Sequence, residues 1–299
     1  MARGERRRRI RFGPPILLGI ILVGVFLFVT KPQWLVGLVT QYVEERRQDN
    51  RPLVNSEVGK WKELEPGLDY RRVRLRRQGG LFTGFHLAMV RVNPALLDIR
   101  IVFVPSEKLP LENMSAVAQR TGAVALMNAS YFEADMKVMG LLVSGGKVLS
   151  PLRQGGRVHH GVFFVRGRKA YLKHRSNVNP AAMDEAFQAG PWLVTDGKPR
   201  LRFRNADVVT RRSVLGVDAK GRVVFAATDA ILGGLTLPEL AGLLGGPEPE
   251  GLEMWRVINC DGGTSTQMML RHRRKSLTIR SSIHVPVYLG VFPRKKKTE

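Results

Sequence analysis

The chain has 299 residues, a formal net charge of +23 and a single cysteine. This length and a hydrophobic content of 44% suffice for one large domain with its own core. The positive charge predicts an anionic partner, namely a phospholipid surface, an acidic glycopolymer or nucleic acid. Because Cys260 stands alone, an internal disulfide and a cysteine-rich zinc site are excluded.

The N-terminus predicts a membrane anchor. An arginine-rich stretch (6–12) precedes an apolar segment (14–30), and a second apolar patch follows at 34–39. A helix over 16–30 alone would span about 22 Å, which is short for a bilayer core of about 30 Å, but the flanking residues extend it. A cleaved signal peptide, which has the same basic start and apolar middle, is the alternative. The continued apolar character favours an uncleaved anchor, with a cytoplasmic N-terminus and a periplasmic or extracellular domain.

Composition divides the chain into four parts. Residues 1–40 hold the cytoplasmic basic segment and the transmembrane helix, and the polar, charged residues 41–68 are interpreted as a stalk. Residues 69–292 form the folded domain, and 293–299 are a basic tail.

Hydrophobic patterning predicts many short strands and few helices in the domain. The predicted elements are a strand at 96–104, a helix at 115–122, a strand at 123–129, hairpins at 161–174 and 213–228, a capped helix at 236–246 and a strand at 283–292. The expected fold class is therefore α+β, a single mixed domain dominated by β-sheet with a few short helices.

A carboxylate and a glycine pair follow a predicted buried strand near the C-terminus, in INCDGGTSTQMML (258–270). Asp261 falls where the strand should end, and Gly262 and Gly263 permit close approach of a ligand to the backbone. Hydroxyl residues that suit an oxyanion come next: Thr264, Ser265 and Thr266. A D-G-G sequence is also typical of a simple turn that the aspartate caps itself.

Two further stretches carry polar residues at predicted strand ends. Asn128 in LMNASYF ends a buried strand and offers an amide to a substrate oxygen, and Tyr131 offers an aromatic wall for a sugar. Arg212 in TRRSVLG precedes a strand, where a guanidinium can hold a phosphate with two parallel bonds. The alternatives are a loop asparagine that satisfies its own backbone, a core aromatic and a surface arginine.

These stretches together resemble the phosphodiester glycosidase family over residues 85–292. The blocks that carry the resemblance are, in chain order, NASYF (128–132), Gly140-Leu141, GPWLVTDG (190–197), RRSVLG (211–216), GLTLPELA (234–241) and NCDGGTSTQM (259–268). The chain departs from the family pattern at Ala129, Ser130, Ser213, Ala230 and Thr264.

The resemblance implies hydrolysis of the bond between a sugar anomeric carbon and a phosphodiester oxygen. On this hypothesis Arg212 and the loop 262–266 hold the phosphate, and Asp261 stabilises or attacks the oxocarbenium-like centre. Asp229 is the second candidate for that carboxylate. Asn128 and Asn259 orient sugar hydroxyls.

Other polar residues have simpler interpretations beside the functional ones. His159 and His160 are candidate proton donors, but a histidine pair at a strand edge is more often structural. Glu133 and Asp135 are interpreted as solvated loop charges. We predict no metal and no cofactor, because no spacing of His, Asp and Glu suggests a metal cage.

The sequence thus predicts a membrane-anchored, exported hydrolase that cleaves a sugar-1-phosphodiester in cell-envelope or exopolysaccharide metabolism. The alternative is a non-catalytic protein that binds or assembles an anionic glycopolymer on the same fold. The basic runs RRVRLRR (71–77) and RHRRK (271–275) suit an anionic lipid or polymer. Nucleic acid is disfavoured as a partner because the runs lack interleaved aromatic residues and any known docking module.

Overall fold

The structure is a computed structural model. It describes the chain over residues 53–77, 84–105, 112–156, 159–203, 207–231, 233–247 and 252–294. The predicted transmembrane helix and the last residues of the basic tail lie outside these stretches. No helix within them is long and apolar enough to cross a bilayer.

Short strands dominate the described residues, with two α-helices. The strands are β1 (Leu53–Val58), β2 (Lys62–Glu65), β3 (Leu68–Arg77), β4 (Gly84–Val92), β5 (Leu97–Phe103), β6 (Ala125–Asn128), β7 (Leu142–Ser144), β8 (Lys147–Ser150), β9 (Gly161–Arg166), β10 (Lys169–His174), β11 (Glu185–Ala189), β12 (Trp192–Thr195), β13 (Lys198–Pro199), β14 (Ser213–Val217), β15 (Val223–Thr228), β16 (Arg256–Asn259), β17 (Met268–His272), β18 (Lys275–Ile279) and β19 (Val287–Pro293). The helices are α1 (Met114–Thr121) and α2 (Leu237–Gly245). The predicted mixed, sheet-dominated fold is confirmed for this part of the chain.

The strands form three sheets, and neighbouring strands within each sheet are antiparallel. The nine-stranded sheet has the order β1-β3-β4-β15-β14-β16-β12-β13, and β2 also pairs with β3. The two five-stranded sheets have the orders β10-β9-β11-β7-β8 and β18-β17-β6-β19-β5. Strands far apart in sequence, such as β4 and β15, are therefore neighbours, and residues from distant segments meet at the same sheet edge.

The main core lies where the inner faces of the three sheets meet. Leu215 and Ile258 of the nine-stranded sheet pack in one cluster with Phe163 and Phe187 of the second sheet and Leu289 of the third. All five side chains are fully buried. Because both β14 and β16 contribute to this cluster, the ends of these strands are held rigidly, and the polar residues that follow them inherit fixed positions.

Helix α2 covers the outer face of the nine-stranded sheet. Thr236 and Glu239 form the capping box that their spacing predicts, in which each side chain bonds the other residue's backbone N–H. The Glu239 carboxylate also accepts two bonds of 2.7 Å from the buried Arg77 guanidinium of β3. Arg77 donates further to the Gly234 carbonyl, so this ion pair fixes the start of α2 against the sheet.

The interpretation of 41–68 as a stalk is wrong for its described part. β1 and β2 both pair with β3, and Leu64 and Leu68 are buried in the core. The domain therefore includes residues from 53 onward. The polar composition hides these strands because they lie at the sheet edge, where Glu57, Lys62 and Glu63 are exposed.

The separately predicted elements agree with the structure. β5 and β6 lie within their predicted segments, and α1 ends at Gly122, which takes a left-handed φ of 72°. The two predicted hairpins are β9–β10 and β14–β15. β19 accounts for the last predicted strand.

Candidate active site

Three segments that are distant in sequence meet around the Asn128 side chain. Asn128 ends β6, and its Nδ2 donates to the Asp261 carbonyl at 2.6 Å. Its Oδ1 accepts from Ser213 Oγ at 2.7 Å and from the Gln267 N–H at 3.0 Å. The end of β6, the start of β14 and the loop after β16 are thereby joined, and a shared binding site for Asn128, Arg212 and Asp261 stays a prediction.

These bonds also define what Asn128 does within the protein. The side chain is fully buried, and its oxygen already accepts two hydrogen bonds. One hydrogen of Nδ2 is used by the Asp261 carbonyl, which leaves one for another acceptor. Asn128 therefore positions the Asp261 loop, and its predicted contact with a sugar hydroxyl stays a prediction.

Tyr131 and Asn259 form a second polar network beside the first. The Tyr131 hydroxyl accepts from Asn259 Nδ2 at 2.7 Å and lies 2.8 Å from the Gly190 carbonyl and 3.2 Å from the Cys260 carbonyl. Burial raises the pKa of Tyr131, so its hydroxyl stays protonated and can donate. The ring also packs edge-on against His159, with centroids 5.3 Å apart. Tyr131 is thus anchored by its hydroxyl.

One acceptor of this network lacks a partner. Asn259 is buried, and its Oδ1 makes no hydrogen bond within the described residues. A buried acceptor without a donor is costly, so a ligand hydroxyl that donates to it would be stabilising. This agrees with the predicted role of Asn259 in orienting sugar hydroxyls.

The loop after β16 holds Asp261 in an uncharged environment. Gly263, Thr264 and Ser265 form a single 3-10 turn directly after Gly262. The Asp261 carboxylate accepts from the Ser265 hydroxyl and the Gly262 N–H, and within the described residues no cation forms an ion pair with it. Burial raises the pKa of Asp261, and these two hydrogen bonds offset part of the effect.

Arg211 fastens the glycine pair to the neighbouring strand. Its carbonyl accepts from the Gly263 N–H at 2.8 Å, and its Nη2 donates to the Thr266 carbonyl at 2.8 Å. A Cβ at Gly262 would lie 2.9 Å from the same Arg211 carbonyl oxygen, so only glycine fits without a backbone shift. The sequence hypothesis missed Arg211, because nothing in TRRSVLG distinguishes it from the neighbouring Arg212.

The hydroxyl residues of the loop have unequal exposure. Thr264 is exposed, whereas Ser265 and Thr266 are buried. Thr266 Oγ1 has no hydrogen-bond partner within the described residues. Of the three hydroxyls predicted to face an oxyanion, Ser265 is engaged by Asp261.

Arg212 is a buried cation without an ion-pair partner. Its Nε donates to the Leu235 carbonyl at 2.9 Å and its Nη2 to the Val208 carbonyl at 2.7 Å. No carboxylate of the described residues lies within ion-pair distance of it. Burial lowers the pKa of Arg212 to about 10, so the guanidinium remains charged at neutral pH. Burial raises the pKa of Tyr131, and Arg212 slightly lowers it.

Asp229 lies in a different, cationic setting. Its carboxylate accepts from the His86 N–H at 2.6 Å and from Arg72 Nη2 at 2.9 Å, and His86 Nδ1 lies 3.2 Å away. Burial lowers the pKa of the nearby Arg211, and the Asp229 carboxylate opposes this effect. Asp229 and Asp261 have different hydrogen-bond partners, so the two candidate catalytic carboxylates lie in separate polar networks.

The remaining predicted polar residues divide between the site and the surface. His159 is buried against Tyr131, and burial lowers its pKa, with Arg153 and Arg175 acting in the same direction. His160 stacks on a neighbouring histidine ring instead. Asp135 pairs with a lysine at the surface, as predicted for a solvated loop charge. Within the described stretches, no group of three or more metal-ligating side chains occurs, and the absence of a metal or cofactor stays a prediction.

The fold is shared with solved structures of low sequence identity. The catalytic domain of zebrafish N-acetylglucosamine-1-phosphodiester alpha-N-acetylglucosaminidase, auto-inhibited by its pro-peptide, superposes with a TM-score of 0.57 at 16% identity over 83% of this chain and 92% of that one. A hypothetical protein from Synechocystis gives 0.52 and 16%, over 80% and 64% of the two chains. A putative exported protein from Burkholderia pseudomallei gives 0.52 and 13%, over 70% and 74%. This chain thus spans less than two thirds of the Synechocystis chain, and no curated protein sequence matches it.

The described domain is rich in β-sheet, and its buried polar residues gather where strands end. The model of the phosphodiester glycosidase family matches residues 121–292, which is more than half of the chain. The chain belongs to this family, and its class of enzyme is a glycosidase that acts on sugar phosphodiesters. The matched range contains Asn128, Arg212 and Asp261 and confirms the resemblance that their motifs indicated.

Proposed function

We propose that this protein hydrolyses a sugar-1-phosphodiester of a cell-envelope or exopolysaccharide glycan, as an exported enzyme held to the membrane by its N-terminal segment. The observation that carries the proposal is Arg212, a buried guanidinium that forms no ion pair with a carboxylate of the described residues. A buried cation of this kind is stabilised by an anion, and a phosphodiester supplies one.

The chemistry assigns complementary tasks to Arg212 and Asp261. The bond between the anomeric carbon and the phosphodiester oxygen breaks, and its electron pair leaves with the phosphate, which is already a weak base. Arg212 stabilises the negative charge that gathers on that phosphate. Asp261 faces the positive charge that develops at the anomeric carbon, and water supplies the new hydroxyl group.

The environment of Asp261 suits this task. Its hydrogen-bond donors are a hydroxyl and a backbone N–H, both neutral, and burial raises the pKa of the carboxyl group. A partly desolvated carboxylate is a stronger base and nucleophile than one paired with a cation. The Asn259 Oδ1 is buried without a hydrogen-bond partner in the described residues, and we assign it to a donating hydroxyl of the sugar.

Release of free sugar tests the proposal directly. A panel of sugar-1-phosphodiesters is incubated with the wild-type protein and assayed for reducing sugar, with the matching simple alkyl glycosides as controls. We expect product only from the phosphodiesters, because the alkyl glycosides lack both the anion and the weakly basic leaving group. Saturable binding to an anionic glycopolymer in a pull-down, with no sugar released from any member of the panel, would favour the non-catalytic alternative instead.

Membrane attachment is tested separately. The full chain and a form that starts at residue 53 are expressed, and the membrane and soluble fractions are compared after an alkaline wash. We expect the full chain in the membrane fraction and accessible to protease from the outer side, because the arginine-rich start stays in the cytoplasm. Recovery of the full chain in the soluble fraction would contradict the anchor.

A further inference from the structure

A cleft rich in cations lies beside the Asp229 carboxylate, outside the network around Asp261. Its volume is about 440 Å³, within the range of roughly 300–1,000 Å³ typical of small-molecule sites. We call it the cationic cleft and define it by six lining residues: Lys60, Lys62, Tyr70, Arg72, Arg74 and Lys275. Arg71, His86 and the carboxylate of Glu57 also line it, so basic side chains greatly outnumber acidic ones.

The sequence of β3 builds one wall of this cleft. In RRVRLRR (71–77), the alternate residues Arg72 and Arg74 are exposed, whereas Val73 and Leu75 are buried in the core. The period of two therefore gathers positive charge on one face of the strand, as the sequence predicts. Lys275 approaches from β18 in a different sheet, and its ammonium lies 5.0 Å from the centre of the Tyr70 ring. Two separate sheets thus contribute cations to one concave surface.

Tyr70 adds a buried polar side chain to the lining of the cleft. Its side chain lines the cleft, yet the residue is only 6% exposed. Its hydroxyl is buried and has no hydrogen-bond partner within the described residues. An unpaired buried hydroxyl is destabilising. A hydrogen bond from the Tyr70 hydroxyl to a ligand oxygen would therefore stabilise the complex.

The cleft is connected to the proposed catalytic region. Arg72 and His86, which line it, both contact the Asp229 carboxylate. Asp229 directly follows Thr228, whose N–H donates to the Arg212 carbonyl at 2.9 Å and whose hydroxyl accepts from the Arg212 N–H at 2.8 Å. Asp229 and Thr228 therefore link the wall of the cleft to the backbone of Arg212.

We propose that the cationic cleft binds the phosphate-bearing chain of a polymeric substrate beyond the bond that is cleaved, an inference that rests on the proposed function. A concave surface can enclose a segment of polymer chain. A flat bilayer would instead be bound by cations that protrude from the surface. Apart from Lys275, the lining residues precede residue 121, where the match to the family begins.

Binding of a short oligo(glycerol phosphate) tests the cleft without hydrolysis, because this probe carries no sugar. Its affinity for the wild-type protein is compared with that of Lys60→Glu/Lys62→Glu, a change at two exposed lining residues. The matched control is Lys147→Glu/Lys169→Glu, the same charge change at exposed positions of the second sheet. We expect the first pair to weaken binding by about tenfold or more and the control pair by less than about twofold.

Three further measurements distinguish a phosphate-bearing chain from other anionic ligands. Tyr70→Phe removes only the hydroxyl and should weaken the oligomer by about threefold, within the range of a single hydrogen bond. Poly-glutamate of similar charge should bind more weakly than the oligomer. Vesicles of equal parts phosphatidylglycerol and phosphatidylcholine should bind the wild type and Lys60→Glu/Lys62→Glu equally.

Several results would overturn the inference. Equal losses of oligomer affinity in the two double variants would reduce it to generic charge attraction. Selective loss of vesicle binding in Lys60→Glu/Lys62→Glu would make the cleft a lipid-headgroup site. Failure of the wild type to release sugar from the small phosphodiesters would remove the proposed function but not oligomer binding, so the two failures are distinguishable.

Discussion

Two buried arginines lie close together in the fold and have opposite surroundings. Arg77 donates to the Gly234 carbonyl, and Arg212 donates to the carbonyl of the next residue, Leu235. Both residues are less than one-tenth exposed. Arg77 forms a bidentate ion pair with Glu239, whereas the Arg212 side chain donates to backbone carbonyls.

The difference separates a charge used for folding from one available to a ligand. The Arg77–Glu239 pair is complete within the protein and fixes α2 against the nine-stranded sheet. Burying Arg212 without a carboxylate costs free energy, which its hydrogen bonds to two backbone carbonyls offset only in part. The carboxylates follow the same division, because Asp229 has cationic neighbours and Asp261 has neutral ones. The region with unmatched charges is the one in which we expect the substrate phosphodiester.

The largest expected effect comes from the Asp261 carboxylate. We expect Asp261→Asn to lower kcat for a sugar-1-phosphodiester by at least about 1,000-fold, because it removes the charge that faces the developing oxocarbenium ion. Asp229→Asn should lower kcat by less than about tenfold, since its carboxylate is already engaged by Arg72 and His86. The measurement is steady-state sugar release by both variants.

Asp196→Asn is a matched control for these two changes. Asp196 is exposed, pairs with Arg256 at the surface and has a positive φ of 49°, which asparagine tolerates. Its kcat should equal that of the wild type. A greater loss in Asp229→Asn than in Asp261→Asn would exchange the roles of the two carboxylates and contradict our assignment.

The two arginines are compared next. We expect Arg212→Met to lower kcat/KM by about 100-fold or more, because the cation that faces the phosphate is lost. Arg77→Met should instead lower the free energy of unfolding, by about 3–5 kcal/mol, because it leaves the Glu239 carboxylate unpaired. Activity is measured at a temperature at which thermal melts show both variants folded.

Arg212→Met also leaves the Val208 carbonyl without its Arg212 donor, whereas the Leu235 carbonyl keeps the Thr210 N–H at 3.3 Å. A stability loss of about 1–3 kcal/mol is therefore expected and must be separated from the loss of activity. Arg212→Lys provides this separation, because it keeps the charge but cannot reproduce both bonds. Unchanged kcat/KM in folded Arg212→Met would contradict a role for this residue at the phosphate.

The sequence predicted the elements of the site better than their connections. Local signals sufficed for α2, because Thr236 and Glu239 form a capping box whose spacing is visible in the chain. The six motif blocks also identified the family, whose model matches the range that contains Asp261 and Arg212. The doubled arginine gave no local sign that Arg211 binds the glycine loop, because that contact depends on the antiparallel pairing of β14 with β16.

Residues 53–68 show why the remainder could not be predicted. Their strands lie at the edge of a sheet, so only part of each strand faces the core and the alternation is short. The Arg77–Glu239 pair is equally hidden, because 162 positions separate its members and only the folded sheet brings them together. Predictions from periodicity succeed where an element buries one face against a core, and they fail where long-range pairing decides the structure.

A smaller effect is expected at the glycine pair that joins the loop to Arg211. Gly262→Ala should lower kcat by about tenfold, because its Cβ would lie 2.9 Å from the Arg211 carbonyl oxygen and must shift the loop that carries Asp261. Gly263 has a φ of 58°, but the nearest atom to a Cβ there, Thr210 Oγ1, is 3.5 Å away. Gly263→Ala should therefore cost about 1–2 kcal/mol of stability and change kcat by less than about twofold. Kinetics and thermal melts of the two variants side by side test this; equal losses of kcat would contradict it.

The smallest expected effect is the pH dependence of stability that Asp261 contributes. Because burial raises its folded-state pKa above the unfolded value of about 3.9, the folded protein holds this proton more tightly than the unfolded chain does. The favourable contribution is complete below the unfolded pKa and is lost as the pH rises through the folded pKa. Relative to Asp261→Asn, the wild type should therefore lose stability as the pH rises from about 4 toward neutrality.

Activity should change in the opposite direction over the same pH range. The wild type should become more active as the Asp261 carboxyl group ionises, because the reaction requires the carboxylate. Urea denaturation of the wild type and Asp261→Asn at each pH isolates this group, since every other titrating group is common to both proteins. A stability difference that stays constant with pH would mean that Asp261 has the same pKa in the folded and unfolded chains, and that the uncharged setting which separates it from Asp229 has no energetic consequence.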